Sequence, residues 1–143
     1  MVCRSRPRCG SRTCECGAPP WSVSLGYAMS HTPFASLPPG PCYAVIFSAT
    51  RTPGDQGYGR MADAMVEMAA RQPGFLGIES ARGADGFGIT VSYWSSREAI
   101  AAWRDVTEHR AAQQLGKERW YEHFELRVAL VESMRSMAPA AAR

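Results

Sequence analysis

The stretch FLGIESARGADGFGITVSYW, residues 75–94, decides the fold. Two runs rich in β-branched and aromatic residues flank Asp85-Gly86, and a DG pair between alternating runs is the strongest short hairpin signal a sequence carries. Glycine reaches the positive φ that such a turn needs without a steric penalty. FLGIESARG, residues 75–83, and FGITVSYW, residues 87–94, are therefore expected as two antiparallel strands.

Upstream, CYAVIFSAT from residue 42 is β-branched and aromatic, with Tyr43, Val45 and Phe47 on one face, and reads as a further strand. RTPGDQG breaks it. YGRMADAMVEMAARQ then sets Tyr58, Met61, Met65, Met68 and Ala69 at helical spacing, and Pro73-Gly74 ends the run. The three methionines fit a helix packing on a sheet. Downstream, Ser95 and Glu98 stand in capping-box spacing, so SSREAIAAWRD is expected to begin a helix with Ala99, Ile100 and Trp103 on one side. Asp105 and Glu108 repeat that spacing, which predicts a second short helix through TEHRAAQQL, stopped at Gly116. EHFELRVALVE alternates, with Phe124, Leu126, Val128 and Leu130 on one face, and reads as the last strand.

The order is β-α-β-β-α-(α)-β, an α+β chain of ferredoxin-like βαββαβ type: an antiparallel four-stranded sheet with helices on one face. Its strands carry apolar groups on both parities. Ile46, Phe75 and Trp94 are assigned to the uncovered face, opposite Val45, Leu76 and Tyr93. An apolar face of that size predicts a covering partner sheet, hence a homodimer with Trp94 as a contact.

The 143 residues suffice for one domain, expected over 42–133. Residues 1–41, rich in Pro, Gly, Ser, Cys and Arg without period, are expected to form a disordered extension, with Met29 a candidate true start; 134–143 read as a flexible tail. The formal charge of +3 arises in residues 1–28, with four arginines against Glu15, while the rest is balanced at 12 basic and 12 acidic residues. A neutral body without a basic stripe argues against nucleic acid or an anionic membrane as partner. No apolar run reaches the length of a membrane helix and no signal peptide is evident, so the cytoplasm is the expected location. Cys3, Cys9, Cys14 and Cys16 lack the paired knuckle spacing of a zinc site.

The runs 43–83 and 88–132 resemble the antibiotic biosynthesis monooxygenase domain family, in a branch of small bacterial proteins. The most specific pieces are QPGFLGIESARG, ITVSYW with Trp103 nine residues after Trp94, and EHRAAQQLGKERWY. The resemblance implies a dimeric α+β barrel, in which the free sheet faces of two subunits pack together. For chemistry the resemblance is divided: some members oxygenate aromatic polyketides without a cofactor, others bind haem and degrade it oxidatively, and still others have no established reaction. The haem-degrading branch carries an Asn on the first strand, a Trp on the second main helix and a His ten residues beyond. Trp103 matches the Trp, but Gln113 stands ten residues on, and the first strand offers Ser48 and no Asn. Glutamine is a poor haem ligand, so no cofactor is expected and haem is disfavoured.

The candidate catalytic residues are Trp103, His109 and Ser48; the candidate substrate-binding residues are Trp94, Glu79 and Gln113. His109, with an ordinary pKa near 6.5, suits a base at neutral pH but also fits an exposed helix histidine. Trp103 is either core or pocket wall. Glu79 and Arg82 lie on the same strand, and Glu79, on the parity of Phe75, is expected in the inter-subunit space, where a carboxylate needs a partner. No pair of histidines or carboxylates has helical metal-site spacing, and GADGFG lacks the strand-to-helix setting of a dinucleotide loop. The expected function is cofactor-independent oxygenation of a small aromatic or quinol-like molecule. The alternatives are a non-catalytic dimer that binds a small hydrophobic ligand and a haem-binding protein.

Overall fold

A computed structural model describes residues 33–137, apart from the side chains of Thr107 and Glu108. The expectations for residues 1–28, for the four cysteines there and for the end of the tail lie outside the described residues. Strand β1 spans Cys42–Arg51, helix α1 Tyr58–Ala70, β2 Phe75–Arg82, β3 Phe87–Trp94, α2 Arg97–Arg104, α3 Thr107–Leu115 and β4 Tyr121–Val131, with a π-helical turn at Gly116–Trp120. The sheet has the order β2-β3-β1-β4 with every neighbouring pair antiparallel, which is the ferredoxin-like α+β arrangement.

The hairpin turns over four residues. Gly83 N–H donates to the Phe87 carbonyl at 2.8 Å, the Asp85 carboxylate accepts from Phe87 N–H at 3.0 Å, and Gly86 takes φ 87°. Helix α1 begins after Gly57, itself at φ 82°, and Asp55 caps the turn by accepting from the N–H groups of Gly57 and Gly59 at 3.0 Å each. For α2 the cap is Ser96, one residue later than expected: its Oγ accepts from Ala99 N–H at 3.1 Å. Ser95 N–H instead donates to the Gly74 carbonyl at 2.8 Å, fixing it in the connection from β3. Helix α3 ends at Leu115 with Gly116 as its C-cap, as expected, but Gly116 does not end it by a left-handed turn. It has helical φ −58°, the chain continues into the π turn, and the missing side chain makes room for the Tyr121 ring, whose edge would lie 3.0 Å from a Cβ.

Strand register sorts the side chains into two faces. Tyr43 pairs with Trp94 and Leu130, Val45 with Ser92 and Val128, Phe47 with Thr90 and Leu126, Ala49 with Gly88 and Phe124. This is the helix side, because Trp94 stacks on Trp103 of α2 and Tyr58 of α1 meets Tyr121. The other face carries Ala44, Ile46, Ser48 and Thr50 with Tyr93, Val91, Ile89 and Phe87. Ile46 is on that open face as expected, but Phe75 and Trp94 are not. In β2 a bulge at Leu76 places Phe75 opposite Trp94 and Gly77 opposite Tyr93, so the parity of the strand reverses after its first residue. In β3 the more apolar set, Phe87, Ile89, Val91 and Tyr93, is the one facing away from the helices. Trp94 is fully buried and is a core residue rather than a subunit contact.

Residues 35–41, expected with the disordered extension, run without regular structure onto the open face at β2. Ala35 N–H donates to Glu79 Oε1 at 2.9 Å, and Tyr93 OH donates to Oε2 at 3.0 Å. Gly77 is required beneath this segment, since a Cβ there would lie 2.8 Å from that of Ala35. Burial, and then the bonded Glu79 carboxylate, push the Tyr93 hydroxyl above its ordinary pKa. Apolar groups remain uncovered on both sides: Phe87 and Ile89 on the open face, and the row Phe124, Leu126, Val128 and Leu130 of edge strand β4 on the helix side.

A candidate active site around Trp103 and His109

Three aromatic rings and an imidazole form a continuous stack at one end of the helix-side face. Phe75 meets Trp94 edge-on at 5.4 Å between centroids, Trp94 lies over Trp103 at 6.2 Å, and Trp103 lies over His109 at 4.2 Å with 13° between planes. Trp94 Nε1–H donates to Ser92 Oγ at 3.0 Å, so the buried indole leaves no donor unpaired. Ser92, Thr90 and Ser80 put small side chains on the sheet floor under the helices, and the Ser80 and Thr90 hydroxyls bond each other at 2.7 Å.

The break between α2 and α3 creates the Trp103–His109 contact. In one continuous helix, residues six apart point about 240° apart and cannot stack. Here Asp105 closes α2, Val106 is extended at φ −62° and ψ 131°, and α3 restarts at Thr107, which turns His109 back over Trp103. His109 Nδ1 lies 3.0 Å from the Trp103 carbonyl, a partner that can only accept, so Nδ1 carries the proton. Nε2 is then the basic nitrogen. It is 3.5 Å from the Gln113 side-chain amide, which donates towards it. Burial holds the His109 imidazole below its ordinary pKa, an effect partly offset by the bond to the Trp103 carbonyl. The result is a neutral, oriented imidazole on a half-buried indole.

The six candidate residues fall into two groups. Trp103, His109, Gln113 and Trp94 come together, with Trp94 as the buried support of Trp103. Ser48 pairs with Ile89 and faces the open side of the sheet, away from Trp103. Glu79 also lies on the open face, engaged by Ala35 and Tyr93 of its own chain. A Ser48–Trp103–Gln113 arrangement therefore does not reproduce the haem-degrading constellation implied by the family resemblance: one member is on the wrong face, and another offers a carboxamide where iron needs an imidazole. Among the described residues no group of three or more His, Cys, Asp or Glu side chains could hold a metal ion.

A second cluster occupies the other end of the same face and was not expected from sequence. The Arg51 guanidinium lies 3.5 Å over the Tyr58 ring, and that of Arg82 is 5.9 Å from the same centroid. Trp120, Tyr121, Phe47 and Phe124 pack around them: Tyr58 meets Trp120 at 5.8 Å, and Phe47 meets Tyr121 at 5.2 Å and Phe124 at 5.4 Å. Burial, and then the neighbouring Tyr58, push the Tyr121 hydroxyl well above its ordinary pKa, against the opposing pull of Arg82 and Arg51. The available signal was an arginine ending each of β1 and β2, a position that only strand register shows to be shared.

The sheet order and the helices laid on one of its faces define a ferredoxin-like α+β protein. The chain belongs to the antibiotic biosynthesis monooxygenase family, whose model matches residues 41–115. It is 56% identical over 101 residues to the uncharacterized protein YqjZ of Bacillus subtilis (strain 168), covering 71% of this chain and 89% of that one. Among solved structures it resembles a Nitrosomonas europaea protein provisionally classed as an antibiotic biosynthesis monooxygenase, with TM-score 0.57 and 13% identity over 70% of this chain and 97% of the other. It also resembles SnoaB, a cofactor-independent oxygenase from Streptomyces nogalater, with TM-score 0.53 and 12% identity over 71% of this chain and all of SnoaB (100%). At such identities the structural likeness concerns the fold.

Proposed function

We propose that the chain is a cofactor-independent oxygenase acting on a small aromatic or quinol-like molecule held beside Trp103, with His109 as general base. The observation that carries this reading is the His109 imidazole, stacked on Trp103 with Nδ1 tied to the Trp103 carbonyl and Nε2 left as the base. A ring methylene flanked by aryl and carbonyl groups is acidic because its carbanion is delocalised. Nε2 takes its proton, the carbanion gives an electron to dioxygen, and recombination places one oxygen atom on that carbon. Loss of the second hydrogen with the other oxygen atom gives a carbonyl and water, so a CH2 and O2 become C=O and H2O. Gln113 is placed to stabilise the developing anion or to orient Nε2. Membership of the family and the fold shared with a cofactor-independent oxygenase support the reading.

The same reading makes the working unit a homodimer. Phe87 and Ile89 stand 47% and 40% exposed on the open face beside Ile46 and Val91, an apolar surface that a second sheet would cover. A cytoplasmic site of action fits a chain in which, among the described residues, no helix is long and apolar enough to cross a membrane.

Incubation with anthrone under 18O2 tests the chemistry. One labelled oxygen atom in the product and one in water is the expected outcome. Anthrone that binds but is recovered unchanged would establish the non-catalytic binder instead.

A further inference from the structure

We propose that Arg51 and Arg82 form an anion subsite at the far end of the helix-side face, which takes the carboxylate of a small aromatic acid with its ring against Phe124 and Leu126. Arg51 ends β1 and Arg82 ends β2, and register places both at the edge where Ala49 pairs with Gly88 and Arg82 pairs with Gly88. From Tyr43, which pairs with Trp94, to Ala49 is six residues of strand, about 20 Å. The subsite is therefore separate from the Trp103–His109 stack, and the inference stands independently of the oxygenase reading.

Both guanidiniums are held in place by neutral groups. Arg51 donates from Nε to the Trp120 carbonyl at 3.3 Å and from Nη2 to that of Gly54 at 3.1 Å. Arg82 donates from Nη1 to the carbonyls of Gly86 at 2.6 Å and Ala49 at 3.3 Å. Its guanidinium lies so close over β3 that a Cβ on Gly88 would come within 2.8 Å of Cζ. Carbonyls orient the forks without neutralising them. Among the described residues the ion pairs involve Asp105 and Glu125, and neither reaches Arg51 or Arg82. The adjacent Asp55 carboxylate is occupied by the N–H groups of Gly57 and Gly59. Two like charges thus converge on one tyrosine ring with N–H donors to spare, and a carboxylate supplies the missing charge and accepts from both. Beside them Phe124 and Leu126 stand 36% and 55% exposed on the same face, an apolar surface suited to an aromatic ring.

Calorimetric titration of the full chain with 2-naphthoate and its neutral isostere 2-naphthamide tests the proposal. Naphthoate is expected to bind at least about tenfold more tightly, with a margin that shrinks as salt is added, since one charge-assisted pair contributes about 1.5 kcal/mol or more. Arg82→Met is expected to reduce naphthoate affinity about tenfold and leave naphthamide unchanged, while Arg82→Lys keeps part of the preference. His109→Ala should leave it intact. Equal binding of acid and amide overturns the proposal, as does a preference that survives Arg82→Met or is lost in His109→Ala. Circular dichroism of each variant separates loss of the subsite from loss of the fold.

Discussion

Two tryptophans nine residues apart in sequence have different duties. Trp94 is fully buried between Phe75 and Trp103, so Trp94→Ala should destabilise the subunit by about 3–5 kcal/mol in urea unfolding. Had Trp94 been a subunit contact, the same change would lower the dimer's affinity and leave subunit stability nearly intact. Trp103 is half-buried, and Trp103→Phe keeps a ring under His109 at lower cost to stability. For His109 the sign of the pH effect follows from burial, which holds its folded-state pKa below the ordinary 6.5. Between those two values the unfolded chain binds more protons than the folded one. The residue therefore costs no stability above pH 6.5, and stability is lost as pH falls from 6.5 through the folded value. His109→Gln should flatten that part of the stability profile measured by thermal unfolding. The residue types of the site were legible in sequence, but their sides of the sheet were not. A single bulge at Leu76 reverses β2, and no alternation within one strand states its register against the next.

At the scale of elements, every strand and helix expected from the sequence is present, since hydrophobic period and glycine or proline punctuation act locally. The misses are N-caps, where a tertiary contact chose between neighbouring residues. Ser96 caps α2 because Ser95 is bound back to Gly74. Ser96→Ala is therefore expected to cost about 1 kcal/mol, and Ser95→Ala clearly less, in chemical denaturation. Gly116 caps α3 as expected but also makes room for Tyr121, and the π turn that begins there carries Trp120 to its Nε1–H bond with the Gln56 carbonyl at 3.1 Å. A second helix was expected from the repeated spacing of Asp105 and Glu108, and α3 does restart at Thr107, but Asp105 closes α2 and Val106 stands at the start of α3 without a side-chain cap. The consequence of that restart, a histidine folded back onto the tryptophan of the preceding helix, depends on the extended Val106 and was not legible.

For the whole molecule, the sheet has one face partly roofed by helices and another against which, among the described residues, the segment 35–41 packs. Light scattering is expected to give twice the 15.6 kDa of the chain. Ile89→Asp, on the open face and 40% exposed, should shift that mass to the monomer while the subunit stays folded. A dimer indifferent to this change would place the contact elsewhere, with the uncovered Phe124–Leu130 row of β4 the next surface to alter. The proposed aromatic oxygenation rests on the base at the Trp103–His109 stack. Its most direct test is the pH dependence of oxygen uptake with anthrone, in protein free of added metal, haem or flavin. The rate should rise with pH through an inflection below 6.5, reach a plateau by neutral pH, and fall at least about a hundredfold in His109→Ala. An unchanged rate and profile in that variant would contradict the account.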